Sequence, residues 1–122
     1  MTDSVAFPFM RLDVYRSARE LAVRVEALGI RRASLRDQAV RACESVVLAL
    51  AEGLFACPSS HRRDSARSLP SVELRATRLA SLCEVAGALD LAVAVGATEA
   101  AATGEALTLA GRVRAMTVAL LR

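Results

Sequence analysis

The sequence of 122 residues contains no lysine, no tryptophan and one histidine, and aromatic residues make up only 3% of it. Its three cysteines form no CxxC pair, and no second histidine or cysteine stands at ligand spacing from His61, so we expect no metal site. The sequence also has neither a glycine-rich phosphate loop nor a hydrolase elbow. These absences predict a protein without a metal, a cofactor or catalytic residues.

Long uncharged apolar runs are also missing, because Glu52 and Asp90 interrupt the longest candidates, and we expect no membrane span. No secretory signal is recognised, so we expect a cytoplasmic protein whose three cysteines are reduced and buried as small hydrophobes. The length suits a single domain over residues 1–122, with an N-terminal arm over 1–10. A hydrophobic fraction of 54% is sufficient for one core.

Hydrophobic periodicity predicts four helices joined by short connections. Their expected bounds are residues 12–28, 35–55, 61–95 and 99–121. Gly29 and Gly96 are placed to end the first and third helices, and Ser34 and Thr98 are placed to cap the second and fourth. Because short connections join antiparallel neighbours, the expected fold is an all-α, antiparallel up-down-up-down four-helix bundle.

Apolar stripes at helical spacing indicate which side chains form the core. The first helix carries Val14, Ala18, Leu21, Val25 and Leu28. The third carries Leu69, Val72, Ala76, Leu79, Cys83 and Ala86, and the fourth carries Ala102, Ala106, Leu109, Val113, Met116 and Leu120. Pro70 falls inside the third stripe, so we expect that helix to be kinked near residues 66–70, or to begin at Pro70 after a short turn over 60–68.

The second helix predicts self-association, because residues 46–51 are apolar on every side. A four-helix bundle covers only about half of each helix, so such a segment needs a further partner. The fourth helix has small residues that permit close approach of a neighbour. They are Ala101, Gly104, Ala110 and Gly111. We therefore expect a homo-oligomer.

A polar stripe crosses this apolar segment, because Gln38, Ser45 and Glu52 are seven residues apart and share one helix face. If buried, these groups need hydrogen-bond partners. They could form a binding or acid–base site, or a buried network that fixes the register of the helices. We favour the network, because no second carboxylate or histidine stands at a fixed spacing from Glu52, although Glu73 could approach the stripe.

Two stretches of the sequence carry a recognisable pattern. The first contains Leu12, Val14, Tyr15, Ala18, Glu20 and Leu21. The second contains Gln38, Arg41, Ala42, Ser45, Val46, Leu50, Ala51, Glu52 and Gly53. In these residues and their spacing the chain resembles a bacterial family of four-helix-bundle proteins that includes the 23S rRNA-intervening-sequence proteins. The resemblance covers residues 9–95, and the fourth helix only by pattern.

The resemblance implies a four-helix fold, assembly into ring-like homopentamers, and RNA or ribonucleoprotein binding. A related accessory protein of diversity-generating retroelements binds a reverse transcriptase and nucleic acid. The resemblance also implies a buried polar motif, with members Gln38, Arg41, Ser45, Glu52 and Glu73. Two departures alter that motif: Ala49 stands in place of the family's asparagine, and Leu69 and Pro70 replace a Gly-Ser pair before Glu73.

The charge of the chain supports a nucleic-acid partner, because the net charge is +3 and all 16 cations are arginines, whose planar forks match phosphate. A GC-rich genome is the alternative explanation, since it enriches arginine and alanine together. One end of the expected bundle carries Arg11, Arg62, Arg63, Arg67, Arg114 and Arg122 against Asp13 and Asp64. The other end carries Arg31, Arg32 and Arg36 against Asp37. Ordinary solvated charge is again the alternative, and no aromatic residue lies among these arginines to stack a base.

The sequence therefore predicts a non-enzymatic, homo-oligomeric helical bundle that acts as a binding or scaffold module for RNA or a ribonucleoprotein partner. Arg62, Arg63, Arg67, Arg11 and Arg114 are the candidate contacts. A protein-binding assembly adaptor with no nucleic-acid role is the alternative. A bundle enzyme would need carboxylate and histidine pairs on facing helices, and the single histidine opposes that interpretation.

Overall fold

The computed structural model describes the backbone of residues 7–55 and 68–120, and the side chains of residues 7–53 and 78–119. Four α-helices account for most of it, and the described residues contain no strand. The helices are α1 (Asp13–Ala27), α2 (Ala33–Phe55), α3 (Ser68–Ala94) and α4 (Ala100–Leu120), and a short 3-10 helix (Pro8–Arg11) precedes them. The prediction of an all-α, four-helix protein is confirmed.

Helix α1 follows its predicted stripe, because polar and apolar residues alternate along it with a clear helical period. Val14, Ala18, Leu21 and Val25 are buried on one face, and Leu28 is half-buried just beyond the helix end. Four neighbours on the other faces, Arg16, Arg19, Glu20 and Val23, are exposed. Gly29 ends the helix with a φ of +61°, and Gly96 has a φ of +75° after α3. Both glycines adopt the left-handed conformation expected of them.

The four helices close around one core, because each contacts the next along the chain and α1 also contacts α4. The contact between α2 and α3 is the most extensive. Two hydrogen bonds show how these two helices run relative to each other: Ser81 donates to Ser45 at 3.0 Å, and Arg78 donates to the Ala49 carbonyl at 3.4 Å. Because the residue numbers rise on one helix as they fall on the other, α2 and α3 are antiparallel. The up-down-up-down order of the complete bundle stays a prediction.

The core face of α3, and in part that of α4, differs from the predicted stripe. On α3, Cys83 is exposed and Leu82, Val85 and Leu89 are buried instead, so the described part of the stripe is rotated by one residue, about 100°. On α4 most of the predicted stripe is confirmed, because Ala106, Leu109 and Val113 are buried and Met116 packs against the core. Only its first member differs, since Ala102 is exposed and Thr103 is buried. Alanine occurs on every side of both helices, so their sequences give little contrast between core and solvent faces.

One predicted helix start is also corrected, and a second is not tested. Helix α2 begins at Ala33, and the Arg32 carbonyl accepts hydrogen bonds from the N–H groups of residues 35 and 36, so Ser34 lies inside the helix and is not its cap. Helix α3 includes Ser68 and Leu69 ahead of Pro70, and residues 56–67 lie outside the described ranges, so where this helix begins stays a prediction. The predicted turn over 60–68 lies mostly outside the described residues, and the kink stays a prediction.

Thr98 lies just before the fourth helix, where its hydroxyl is 3.3 Å from that of Thr103. Thr103 in turn donates to the Glu99 carbonyl at 2.6 Å. The polar groups at the start of α4 are thus joined, although by a different arrangement from a simple cap. Among the helices that the structure describes, none combines the length and apolar character needed to cross a membrane.

Candidate nucleic-acid interface

The N-terminal arm presents Arg11 at the end of the bundle where α1 begins. A 3-10 helix over Pro8–Arg11 forms there, with Pro8 at its first position, where a proline loses no hydrogen bond. The ring of Phe9 meets that of Tyr15 edge-on, with centroids 5.0 Å apart. This contact joins the arm to α1 and leaves the Arg11 side chain exposed.

Arg114 is exposed on α4, and a contact between α1 and α4 indicates that it faces the same end as Arg11. Arg24, near the end of α1, lies 3.5 Å from Glu105 in the first half of α4. The later part of α4 must then lie beside the start of α1. Neither Arg11 nor Arg114 forms a hydrogen bond or an ion pair with another described residue. The other predicted contacts, Arg62, Arg63 and Arg67, lie outside the described residues.

Aromatic residues accompany Arg11, which sequence reasoning missed. Phe7 is 44% exposed, and its ring centroid lies 6.0 Å from that of Phe9, which in turn contacts Tyr15. The statement that no aromatic residue lies among these arginines is therefore wrong. The signal was the aromatic-proline-aromatic run at positions 7–9, immediately before Arg11. Aromatic rings and arginines carried on one exposed segment are a combination that single-strand binders use to stack bases.

Two of the three arginines at the opposite end of the bundle are engaged within the chain. The Arg31 guanidinium donates to the Gly96 carbonyl at 2.6 Å, and the Arg31 backbone N–H donates to the Ala97 carbonyl at 2.9 Å. Arg36 donates to the Ile30 carbonyl at 3.1 Å. These bonds tie the connection between α1 and α2 to the connection between α3 and α4. Arg31 and Arg36 thus serve the fold.

The predicted buried polar motif is exposed in the single chain. Gln38, Arg41 and Glu52 all lie on the outer face of α2, so the expectation that they are buried is wrong for the chain by itself. Only Ser45 among the described members is half-buried, and it accepts the hydrogen bond from Ser81. The side chain of Glu73 lies outside the described residues. The seven-residue spacing correctly placed these groups on one face, but that face points away from the core.

The polar group that is buried between α2 and α3 is Arg78, which is only 3% exposed. Its guanidinium donates to the Ala49 carbonyl, close to the Ser45–Ser81 bond. A buried cation is costly unless it is hydrogen-bonded, so these contacts indicate a role in the register of the two helices. Nothing in the spacing of α3 singles Arg78 out, because its burial depends on the neighbouring helix.

The two cysteines that the structure describes differ in setting. Cys43 is buried in the core, where burial raises the pKa of its thiol to about 12, and the nearby Glu44 carboxylate adds to the rise. It is an unreactive core residue, as predicted, because the thiolate is the nucleophilic form. Cys83 is exposed, so the prediction that it is buried is wrong. Cys57 and His61 lie outside the described residues.

Within the described ranges no three histidine, cysteine or acidic side chains come together as a metal site. No known family model matches the sequence, and no curated protein is similar to it. The resemblance to the rRNA-intervening-sequence proteins therefore stays a prediction. At one end of the bundle Phe7, Arg11 and Arg114 are exposed. At the other end Arg31 and Arg36 form an arginine clamp, in which both side chains donate hydrogen bonds to backbone carbonyls.

Proposed function

We propose that this protein is a non-enzymatic, self-associating helical module of the cytoplasm that binds RNA or a ribonucleoprotein partner at the end of the bundle carrying Arg11 and Arg114. The observation that supports this most is the N-terminal arm, where the exposed Phe7 and the exposed Arg11 stand at the two ends of the same 3-10 turn. Phosphates attract the guanidinium groups without regard to sequence, and unpaired bases stack on an aromatic ring. The partner is accordingly a single-stranded segment bound with little sequence preference.

Self-association is supported by Leu48, which is 62% exposed in the middle of the apolar half of α2. A large aliphatic side chain this exposed, in a segment where Val46, Ala49 and Leu50 are already buried, supports the proposal that another protein chain covers this part of α2. A ring of five subunits is what the family resemblance implies. In such a ring, each arginine-bearing end would be repeated around a symmetry axis.

The second candidate function is a protein-binding adaptor, and a specific observation favours it. Phe7, Met10 and Leu12 are 44%, 39% and 43% exposed, respectively, so the N-terminal arm is also an apolar surface. Such a surface fits a docking protein as well as a stacked base. Salt dependence separates the two functions, because phosphate binding releases counterions and apolar docking does not.

The test is the affinity of the purified protein for a labelled single-stranded RNA of about 20 nucleotides. If six or more phosphates of the single strand are contacted, the association constant falls by about 2.5 orders of magnitude or more between 50 and 200 mM salt. Changing Arg62, Arg63 and Arg67 together to glutamine should weaken binding at low salt. A control in which the exposed Arg16 and Arg19 of α1 become glutamine should bind like the parent.

Two results would contradict the proposal. If the folded triple variant binds RNA as tightly as the parent, residues 62–67 are not part of the site. If the parent shows no binding even at about 50 mM salt, where electrostatic attraction is strongest, the nucleic-acid function is wrong and the adaptor function replaces it.

A further inference from the structure

The outer face of α4 carries opposite charges in a self-complementary order. Glu105 and Arg112 line the same shallow groove as Thr108, between α1 and α4, and both are exposed. The Glu105 side chain is 72% exposed, and its contact with Arg24 is long, at 3.5 Å. Arg112 forms no ion pair with any residue that the structure describes. Each of these two charges is thus available to an outside partner.

Between and beyond these two charged residues, the exposed face of α4 carries small side chains. Its members are Ala101, Gly104, Thr108, Gly111 and Ala115, which are all exposed. They follow one another at steps of three and four residues and so share one helix face. The Thr108 hydroxyl donates to the Gly104 carbonyl at 3.0 Å. A partner could therefore displace water from this face and the hydroxyl would keep a hydrogen bond.

The two glycines of this face have no role in the packing of the chain. A Cβ atom added at Gly104 or Gly111 would meet no other atom within 4 Å. Glycine weakens a helix interior, so it is favoured there where another backbone or helix approaches closely. Among the residues that the structure describes nothing approaches either position, so the packing of this part of the chain does not require glycine there, and the close approach of an outside partner would account for both glycines.

The order of residues identifies that partner. The pattern is nearly symmetric about Thr108: Ala101 and Ala115 lie seven residues before and after it, Gly104 and Gly111 lie four before and three after, and Glu105 and Arg112 lie three before and four after. A second copy of α4 laid antiparallel would therefore meet small residues with small residues and opposite charges with opposite charges. A parallel copy would place each carboxylate beside the other carboxylate, which is repulsive.

We propose that two copies of this protein associate through α4 around a twofold axis at Thr108, with Glu105 of each copy paired to Arg112 of the other. This is an isologous contact, in which the same surface is used by both subunits. It does not rest on the proposed RNA function, and it pairs two chains whether or not each also belongs to a ring. One helix pair covers less area than the roughly 1,200 Å² of small stable interfaces, so we expect dissociation at micromolar concentrations.

Charge exchange tests the pairing in the full-length protein, by sedimentation equilibrium at low salt over about 1–100 µM. Glu105→Arg and Arg112→Glu each place like charges together, so each should weaken association by about tenfold or more. The double change restores opposite charges across the axis and should return association to within about threefold of the parent. Arg16→Glu, an equal charge change on α1, is the control and should have no effect.

The proposal is overturned if the single changes leave association unaltered, or if the double variant is as weak as either single one. It is also overturned if the parent is monomeric over the whole concentration range. These results are independent of RNA binding, which is measured separately with the same proteins and should be altered by neither the single changes nor the double change if the proposed arginine end holds the RNA.

A steric variant gives a second test that does not depend on charge. Gly111→Leu adds a side chain where the chain leaves open space and replaces a poor helix former, so the melting temperature extrapolated to low concentration should be kept or raised. Association should fall about tenfold or more, because the two helices can no longer approach. Gly87→Leu on α3, where a Cβ also meets nothing within 4 Å, is the matched control. If Gly111→Leu associates as well as that control, α4 is not the contact.

Discussion

The two ends of the bundle both carry arginines, but they use them differently. At the end that holds the connections between α1 and α2 and between α3 and α4, Arg31 and Arg36 donate to the carbonyls of Gly96 and Ile30. At the other end, Arg11 and Arg114 are exposed and form no hydrogen bond or ion pair with the described residues around them. A map of positive charge along the sequence makes the two ends look alike.

The difference shows that an arginine count is a poor guide to nucleic-acid binding. A guanidinium group that donates to carbonyls has fewer donors left for a phosphate, and its removal affects the fold first. An exposed guanidinium group without a partner is available to a ligand, and its removal costs the fold little. The comparison therefore predicts that changes at one end act on stability and changes at the other act on binding.

The largest effects on stability should come from the glycines that turn the chain at the clamped end. Gly29 and Gly96 have φ values of +61° and +75°, so replacing either with alanine should lower the free energy of unfolding by about 1–2 kcal/mol. Gly87→Ala is the control, since this glycine lies inside α3 and an added Cβ meets nothing within 4 Å. It should raise stability by about 0.5–1 kcal/mol. Urea denaturation at low protein concentration would measure all three, and equal effects at Gly29 and Gly87 would contradict the account.

A smaller loss is expected when the clamp itself is removed. Arg31→Gln and Arg36→Gln each delete a hydrogen bond to a carbonyl, and because both side chains are exposed each should cost about 0.5–1 kcal/mol. Thermal denaturation would show this as a drop of a few degrees. Arg32→Gln serves as the comparison, because Arg32 makes no side-chain bond within the described chain. The clamp is not a stabilising feature if Arg32→Gln is as harmful as Arg31→Gln.

Helix α1, most of the core face of α4 and the class of the fold could be predicted from the sequence, whereas the core face of α3 could not. Prediction from periodicity needs a contrast between polar and apolar residues, and α1 supplies it with charged groups opposite Val14, Leu21 and Val25. In α3 an alanine, leucine, valine or cysteine occurs on every side of the helix, so several faces fit the core. The face that α3 turns toward the core is set by its contact with α2, at Ser81 and the residues beside it. The spacing of residues within α3 carries no information about that contact.

The candidate site was predicted only in part for the same reason. Exposed arginines are readable from the sequence, but whether an arginine is free or engaged depends on which carbonyl the fold brings near it, as at Arg31. The aromatic contact of Phe9 with Tyr15 required the 3-10 turn that folds the arm onto α1. Glu52 and its neighbours show the opposite error, because a regular spacing suggested burial and only the fold reveals that their face points outward.

The most direct test compares RNA affinity between two double variants of the full-length protein at low salt. One changes Arg11 and Arg114 to glutamine, and the other changes Arg31 and Arg36 to glutamine. The first should keep the parent's stability within about 0.5 kcal/mol and lose about tenfold or more in affinity, with a salt slope about 1.4 shallower for two lost phosphate contacts on a single strand. The second should be less stable but, while folded, bind RNA with nearly the parent's affinity and slope. If the two variants bind RNA equally well, or if the second is the weaker binder, the assignment of RNA binding to the exposed end is contradicted.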